Sequence, residues 1–262
     1  MKALAQSIQT TPIWGGFRVW QRNRDAFVRA WKVEIGGIAV EPLVMLVAVG
    51  FGLGAFVEDI GDLSYAEFLA PGLIASQAVF HATFDSTYGA YLRMETHHLY
   101  EAILFTPLGP ADIVVGEVMW GATRALVAGA AVLTMATAFG LVGSPLALLA
   151  IPTAYLIGLM IGSIAMILTA TATTIGAMNN FFTLFVLPMF WASGVFFPLD
   201  RLPDGLEAAA WALPLTPSAA LVRGLVTGDV SWWMLLWLLE MIAFTLVALR
   251  LASFFMYRRL IK

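Results

Sequence analysis

The chain has no cysteine, so disulfides, thiolate metal sites and cysteine nucleophiles are excluded. Charge is scarce too. Only 12% of the 262 residues are Asp, Glu, Lys or Arg, about half the ~25% of a soluble globular protein. Histidine and lysine occur three times each, which leaves little material for metal or phosphate chemistry. The net charge of −3 argues against nucleic acid as a partner. What fills the chain instead is apolar. Hydrophobic residues make up 60%, against about 45–50% in soluble domains, and the mean hydropathy is +0.86. Such a composition cannot cover a water-facing surface. The chain is an integral membrane protein.

Several catalytic signatures are also missing. No Gly-x-x-x-x-Gly-Lys-Ser/Thr loop exists, because none of Lys2, Lys32 and Lys262 follows a glycine-rich run. Any ATP that drives this protein must therefore bind another chain. No His-Glu-x-x-His or Gly-x-Ser-x-Gly pattern occurs either, which disfavours an intramembrane hydrolase.

A helical span needs about 20 mostly apolar residues to cross a ~30 Å hydrocarbon core. From Ala125 to Leu199 there is no Asp, Glu, Lys, Arg or His. That is room for three spans, divided at Gly143-Ser144-Pro145 and at the polar run Thr169–Thr174 with Asn179-Asn180. The spans are expected at about 115–140, 147–170 and 178–197, with two more upstream at 36–57 and 67–92 and a last at 232–257. Helices are the default, because lipid cannot satisfy a free backbone. The fold class is then all-α, six spans in one membrane domain over residues 1–262.

Orientation follows from the cations. Lys2, Arg18, Arg22, Arg24, Arg29, Lys32, Arg93, Arg258, Arg259 and Lys262 fall on one side, and only Arg201 and Arg223 on the other. The positive-inside rule places both termini in the cytoplasm. The first apolar span begins too far from the N-terminus for a cleavable signal peptide. Within residues 1–35, Trp14, Phe17, Trp20, Phe27, Val28 and Trp31 recur at helical spacing between arginines. This reads as an amphipathic helix in the inner-leaflet headgroups, or as an ordinary positively charged flank.

Ionisable residues within spans are functional candidates by default. His81 and Asp85 share a face of the second span, Glu117 and Arg124 a face of the third, and Glu240 sits mid-way along the sixth. His81, Asp85 and Glu240 would suit a proton relay; structural neutralisation within a bundle is the plainer reading. Arg124 is expected to find Asp112 or Glu240. Gly50-x-x-x-Gly54 and Gly158-x-x-x-Gly162 mark close helix contacts, within the chain or between two copies.

Two loops stand out. His97–Phe105 reads as a short amphipathic cytoplasmic helix stopped by Thr106-Pro107. Leu199–Asp229 has Pro203, Pro214 and Pro217, yet Leu206–Leu213 and Ser218–Val226 are mostly apolar. Re-entrant or interfacial helices on the outer face fit this segment.

This pattern resembles the membrane subunits of type-2 ABC exporters, and most of all their nodulation protein J branch. The matching stretches are Phe68-Leu69-Ala70-Pro71-Gly72-Leu73-Ile74-Ala75, Ala82-Thr83-Phe84, Arg93-Met94, Asp112-Ile113-Val114-Val115-Gly116-Glu117 and Trp120-Gly121-Ala122-Thr123-Arg124. They continue with Ser193-Gly194-Val195-Phe196-Phe197-Pro198, Leu202-Pro203 and Leu213-Pro214-Leu215. The resemblance implies a permease in the bacterial inner membrane, working as a homodimer with a separate ABC ATPase of the NodI type. ATP and Mg would belong to that ATPase, and this chain would bind no cofactor and no metal. The cargo implied is an amphiphile such as a lipo-oligosaccharide or glycolipid, moved outward; a drug-efflux permease of the same fold and an ion-coupled secondary transporter are the alternatives. Under the resemblance His97, His98, Tyr100, Glu101 and Phe105 would couple to the ATPase, with Tyr100 and Glu101 presented outward and Leu99 and Ile103 packed on the bundle. The aromatic residues Phe181, Phe182, Phe185, Phe190 and Trp191 would line a cavity or face lipid.

Overall fold

The computed structural model describes residues 12–261. Lys2 and Lys262, both counted among the cytoplasmic cations, lie outside the described residues. Among the described residues there are ten α-helices: α1 (Pro12–Met45), α2 (Tyr65–Phe84), α3 (Leu99–Leu104), α4 (Pro110–Ala138), α5 (Ala150–Thr171), α6 (Gly176–Phe181), α7 (Leu187–Ala192), α8 (Asp204–Trp211), α9 (Leu215–Thr227) and α10 (Trp233–Leu260). Among the described residues the only β pairing is a bridge between Ile60 and Leu63.

Among the described residues four helical stretches are long and apolar enough to cross a membrane: Gly36–Phe56, Pro110–Ala138, Pro145–Thr171 and Trp233–Leu260. The pair α8–α9 is bent by 85° at its break, a broken span or a re-entrant loop. The expected spans at 67–92 and 178–197 are not among these four. The first is helical over its length, but it carries Gln77, His81, Asp85 and wide turns at Asp85–Gly89 and Leu92–Thr96. The second is cut by a wide turn at Phe182–Val186 into two six-residue helices, α6 and α7.

The N-terminal amphipathic stretch is not a separate helix. It runs unbroken into the first span as α1, and its inner face packs on α4 rather than on headgroups alone. Val19 and Asn23 are buried there, and the Trp20 indole N–H donates to Thr123 Oγ1 at 2.8 Å. Trp14, Val28 and Trp31 stay exposed.

Helix α4 is the hub, touching α1, α2, α5 and α10. Small residues permit the approach. A Cβ on Gly158 would meet the Ala122 backbone, so α4 and α5 touch main chain to main chain there. Gly162 faces Ser86, and Gly50 and Gly54 face Ala66, Leu69 and Tyr65 of α2. Each of the four glycines therefore has close neighbours in this chain. Local chemistry fixes where helices begin. Ser64 and Glu67 close a reciprocal cap at the start of α2. Pro110 opens α4, with the Asp112 carboxylate accepting from the Gly109 N–H at 2.8 Å.

Candidate functional site

Beyond α2, the two wide turns change what the backbone offers. In the turn Asp85–Gly89 the Ala90 N–H reaches back five residues to the Asp85 carbonyl; such turns recur at functional sites. Arg93 folds back over it, donating from Nη2 to that same carbonyl at 3.2 Å and facing Asp85 Oδ1 at 3.5 Å. Gly89 leaves the room, since a Cβ there would stand 2.9 Å from Asp85 Oδ1 and 3.1 Å from Arg93 Nη1.

The guanidinium then clamps Glu117 of α4 with both prongs, Nε to Oε1 at 3.1 Å and Nη2 to Oε2 at 2.6 Å. Glu117 is 0% exposed. Asn23 of α1 donates to its Oε2 at 3.2 Å. Three helical segments therefore converge on one carboxylate. A bidentate guanidinium–carboxylate pair is among the strongest protein hydrogen-bonding arrangements, and burial makes either partner costly to leave alone.

Tyr100 closes the cluster from the short helix α3. It is 0% exposed, and its hydroxyl lies beside Glu117 and Arg93 without meeting either in full hydrogen-bond geometry. Burial, then the adjacent Glu117 charge, pushes the phenol well above its usual pKa. The expectation that Tyr100 faces outward is corrected here. The chain enters α3 through His98 in the left-handed region, at φ 48°, and that turn points Tyr100 inward together with the half-buried Leu99 and Ile103. What α3 shows to the outside is His97, His98, Glu101 and Phe105, the last 92% exposed.

A second pair lies alongside. Arg124 Nη1 meets Glu34 Oε2 at 2.6 Å, and the guanidinium sits over the Phe27 ring, 5.1 Å from its centroid. Arg124 thus pairs with neither Asp112, which caps α4, nor Glu240. Arg93 of the first pair and both members of the second border one cavity of about 310 Å³, lined by Arg22, Asn23, Glu34, Asp85, Arg93 and Arg124 among others.

A third link comes from the C-terminal helix. Arg259 donates to the Thr169 carbonyl at 2.8 Å and to the Ala172 carbonyl, and pairs with Glu95 at 2.8 Å. It caps the end of α5 and ties it to the segment that leads into α3.

Among the described residues no hydrogen bond or ion pair joins His81, Asp85 and Glu240 to one another. Asp85 is held by Arg93, His81 is partly buried on α2, and Glu240 is exposed on α10. The aromatic set is a packed cluster. Phe80 contacts Phe182 and Phe190 at centroid distances of 5.7 and 4.8 Å, and Phe190, buried, and Trp191 both pack on Phe196. Phe181 stacks on Phe185 at 5.2 Å.

The model of the ABC-2 type transporter family matches residues 17–227, a stretch that contains every member of this cluster except Arg259. The chain belongs to the ABC-2 type transporter family. Among ABC-2 relatives, nodulation protein J of Rhizobium leguminosarum bv. trifolii is 40% identical over 210 residues, 80% of each chain. Nodulation protein J of Sinorhizobium fredii is 38% identical, again over 80% of each chain. The inner membrane transport permease YadH of Escherichia coli is 23% identical over 75% of this chain and 77% of its own. This ABC-2 chain is accordingly a transporter permease, a membrane subunit of a family that normally pairs with an ABC ATPase.

Sequence reasoning missed Glu34, Asn23 and the clamp by Arg93, which it counted as a loop charge. The available signal was Glu34 itself, a carboxylate entering the first apolar run with no opposite charge on its own helix face downstream.

Proposed function

We propose that this permease exports an amphiphile, such as a lipo-oligosaccharide or glycolipid, as a homodimer driven by a separate ABC ATPase of the NodI type. ATP and Mg stay with that ATPase. The chain is one permease domain in the bacterial inner membrane with both termini cytoplasmic, a reading supported by the Lys and Arg distribution. Six spans follow if the helical columns at 65–96 and 176–192 also cross.

One observation carries the proposal: the short helix α3 is exposed on one side and keyed into the buried ion cluster on the other. Glu101, His98 and Phe105 offer contacts to a partner, while the buried Tyr100 lies beside Arg93 and Glu117. A push on α3 is then transmitted at once to the end of α2, to α4 and through Asn23 to α1. A packed cluster with discrete hydrogen bonds passes on such displacements because it does not deform continuously.

The test is co-purification of the chain with the neighbouring ABC ATPase, followed by ATPase measurement across a panel of lipids and drugs. Stimulation by glycolipids supports the reading. Stimulation by drugs alone would move the assignment to efflux. Failure of any ATPase to co-purify, with transport driven by a proton gradient instead, would sink it.

A further inference from the structure

At the opposite end of α2 lies a second site. Phe68 and Arg93 are 25 residues apart on one helical column, roughly 38 Å at 1.5 Å per residue. Arg223 of α9 tucks beneath the first turn of α2, its Cζ 3.9 Å from the Phe68 ring centroid. Its Nη2 donates to the carbonyls of Gly194 at 2.9 Å and Phe68 at 3.4 Å. Its Nε is sealed from solvent without a hydrogen-bond partner, and no carboxylate lies within ion-pair distance among the described residues. Buried polar groups are nearly always satisfied, and a buried cation even more so. Arg223 therefore wants an acceptor.

The guanidinium borders a cavity of about 320 Å³ at the elbow between α8 and α9, together with Asp200, Glu207, Trp211, Ser193 and Thr216. The two hydroxyls have already spent their protons, Ser193 on the Met189 carbonyl and Thr216 on the Ala210 carbonyl. They offer acceptors only. The wall thus combines one cationic donor with two carboxylates and two acceptor oxygens. An anion would meet Asp200 and Glu207, and a cation would meet Arg223. A group that both accepts and donates, such as a set of ring hydroxyls, satisfies all of them. Trp211 adds a flat apolar surface; its partner Trp237 is stacked 5.7 Å away. The volume is at the low end of the ~300–1,000 Å³ typical of ligand pockets, so it holds a head group and not an acyl chain.

We infer that the Arg223 cavity between α8 and α9 binds a neutral, hydroxyl-rich ring. Its place on an export path, as the outward station for an amphiphile's polar head, rests on the proposed function. The binding itself does not.

The experiment uses the full chain in phosphatidylcholine nanodiscs free of glycosidic detergent, with saturation-transfer NMR and Trp fluorescence as readouts. The probes are methyl β-glucoside, inorganic phosphate and tetramethylammonium. Saturable binding of the glucoside is expected, with neither ion competing. Arg223→Lys and Glu207→Gln should each weaken it about tenfold, the effect of one lost hydrogen bond in a desolvated site. Glu207 makes no side-chain hydrogen bond among the described residues, so Glu207→Gln reads binding even where Arg223→Lys lowers folded yield. Absence of glucoside binding, preference for phosphate or tetramethylammonium, or unchanged binding in Glu207→Gln would each overturn the inference. No ATPase is present, so a negative result here leaves the coupling reading to its own test.

Discussion

Arg93 Nη2 lies 2.6 Å from Oε2 of a Glu117 that has no exposed surface. The pair joins the end of the α2 column to the hub helix α4, and Asn23 adds α1 to the same carboxylate.

Removing one partner should be far worse than removing both. Glu117→Ala leaves the Arg93 guanidinium buried beside Asp85 alone, and a broken buried pair costs about 3–5 kcal/mol. Arg93→Met with Glu117→Met and Asp85→Asn, which leaves no carboxylate of the cluster without its cation, should recover most of that loss. Thermal unfolding of the two variants in detergent, with folded yield by size-exclusion chromatography, checks the ordering.

Arg124 should matter less to stability. Its partner Glu34 has a side chain 39% exposed, so solvent screening limits the pair to roughly 1 kcal/mol. Arg124→Leu is expected to lower the folded fraction by no more than about fivefold, the factor that ~1 kcal/mol corresponds to. A collapse in yield comparable with that of Glu117→Ala would show that Glu34 is more deeply desolvated than it looks.

Tyr100 separates packing from hydrogen bonding. Its hydroxyl meets no partner in full hydrogen-bond geometry among the described residues, so Tyr100→Phe should cost less than about 1 kcal/mol. Tyr100→Ala empties a fully buried site and should cost about 3–5 kcal/mol, as for large aromatic truncations. Unfolding curves of the two variants decide it; equal losses would contradict the unpaired hydroxyl.

Glycine positions provide a contrast. A Cβ at Gly158 would meet the Ala122 backbone, whereas at Gly36 nothing lies within 4 Å. Gly158→Ala is expected to destabilise by about 1–3 kcal/mol through overpacking. Gly36→Ala should be neutral, or stabilise by up to about 1 kcal/mol through helix propensity. Melting temperatures measured side by side check the sign of each.

Much of the helix inventory was legible because span length and hydropathy are local properties. The charge-free run from Ala125 to Leu199 carried α5 and the second half of α4, and the prolines near Pro203 and Pro214 marked the bent pair α8–α9. The partners of the buried charges were not legible. Arg124 and Glu34 are 90 residues apart, and Asn23 and Glu117 are 94 apart; only the packing of α1 along α4 brings them together. Tyr100 was misplaced for a different reason. Six residues make less than two turns, so Leu99 and Ile103 alone do not fix the inward face, and the left-handed backbone at His98 sets it instead. The continuity of α1 was hidden by its arginines, which mark a membrane boundary but do not break a helix.

The central claim is that α3 carries the contact with the ATPase, and the absence of cysteine allows a clean test of it. Phe105→Cys and Asp204→Cys, each made alone in the full chain, are co-expressed with the ATPase and treated with a short photoactivatable maleimide. The account predicts an ATPase adduct from Phe105→Cys and none from Asp204→Cys. An adduct from position 204, or none from 105 in a complex that still co-purifies and hydrolyses ATP, would contradict it.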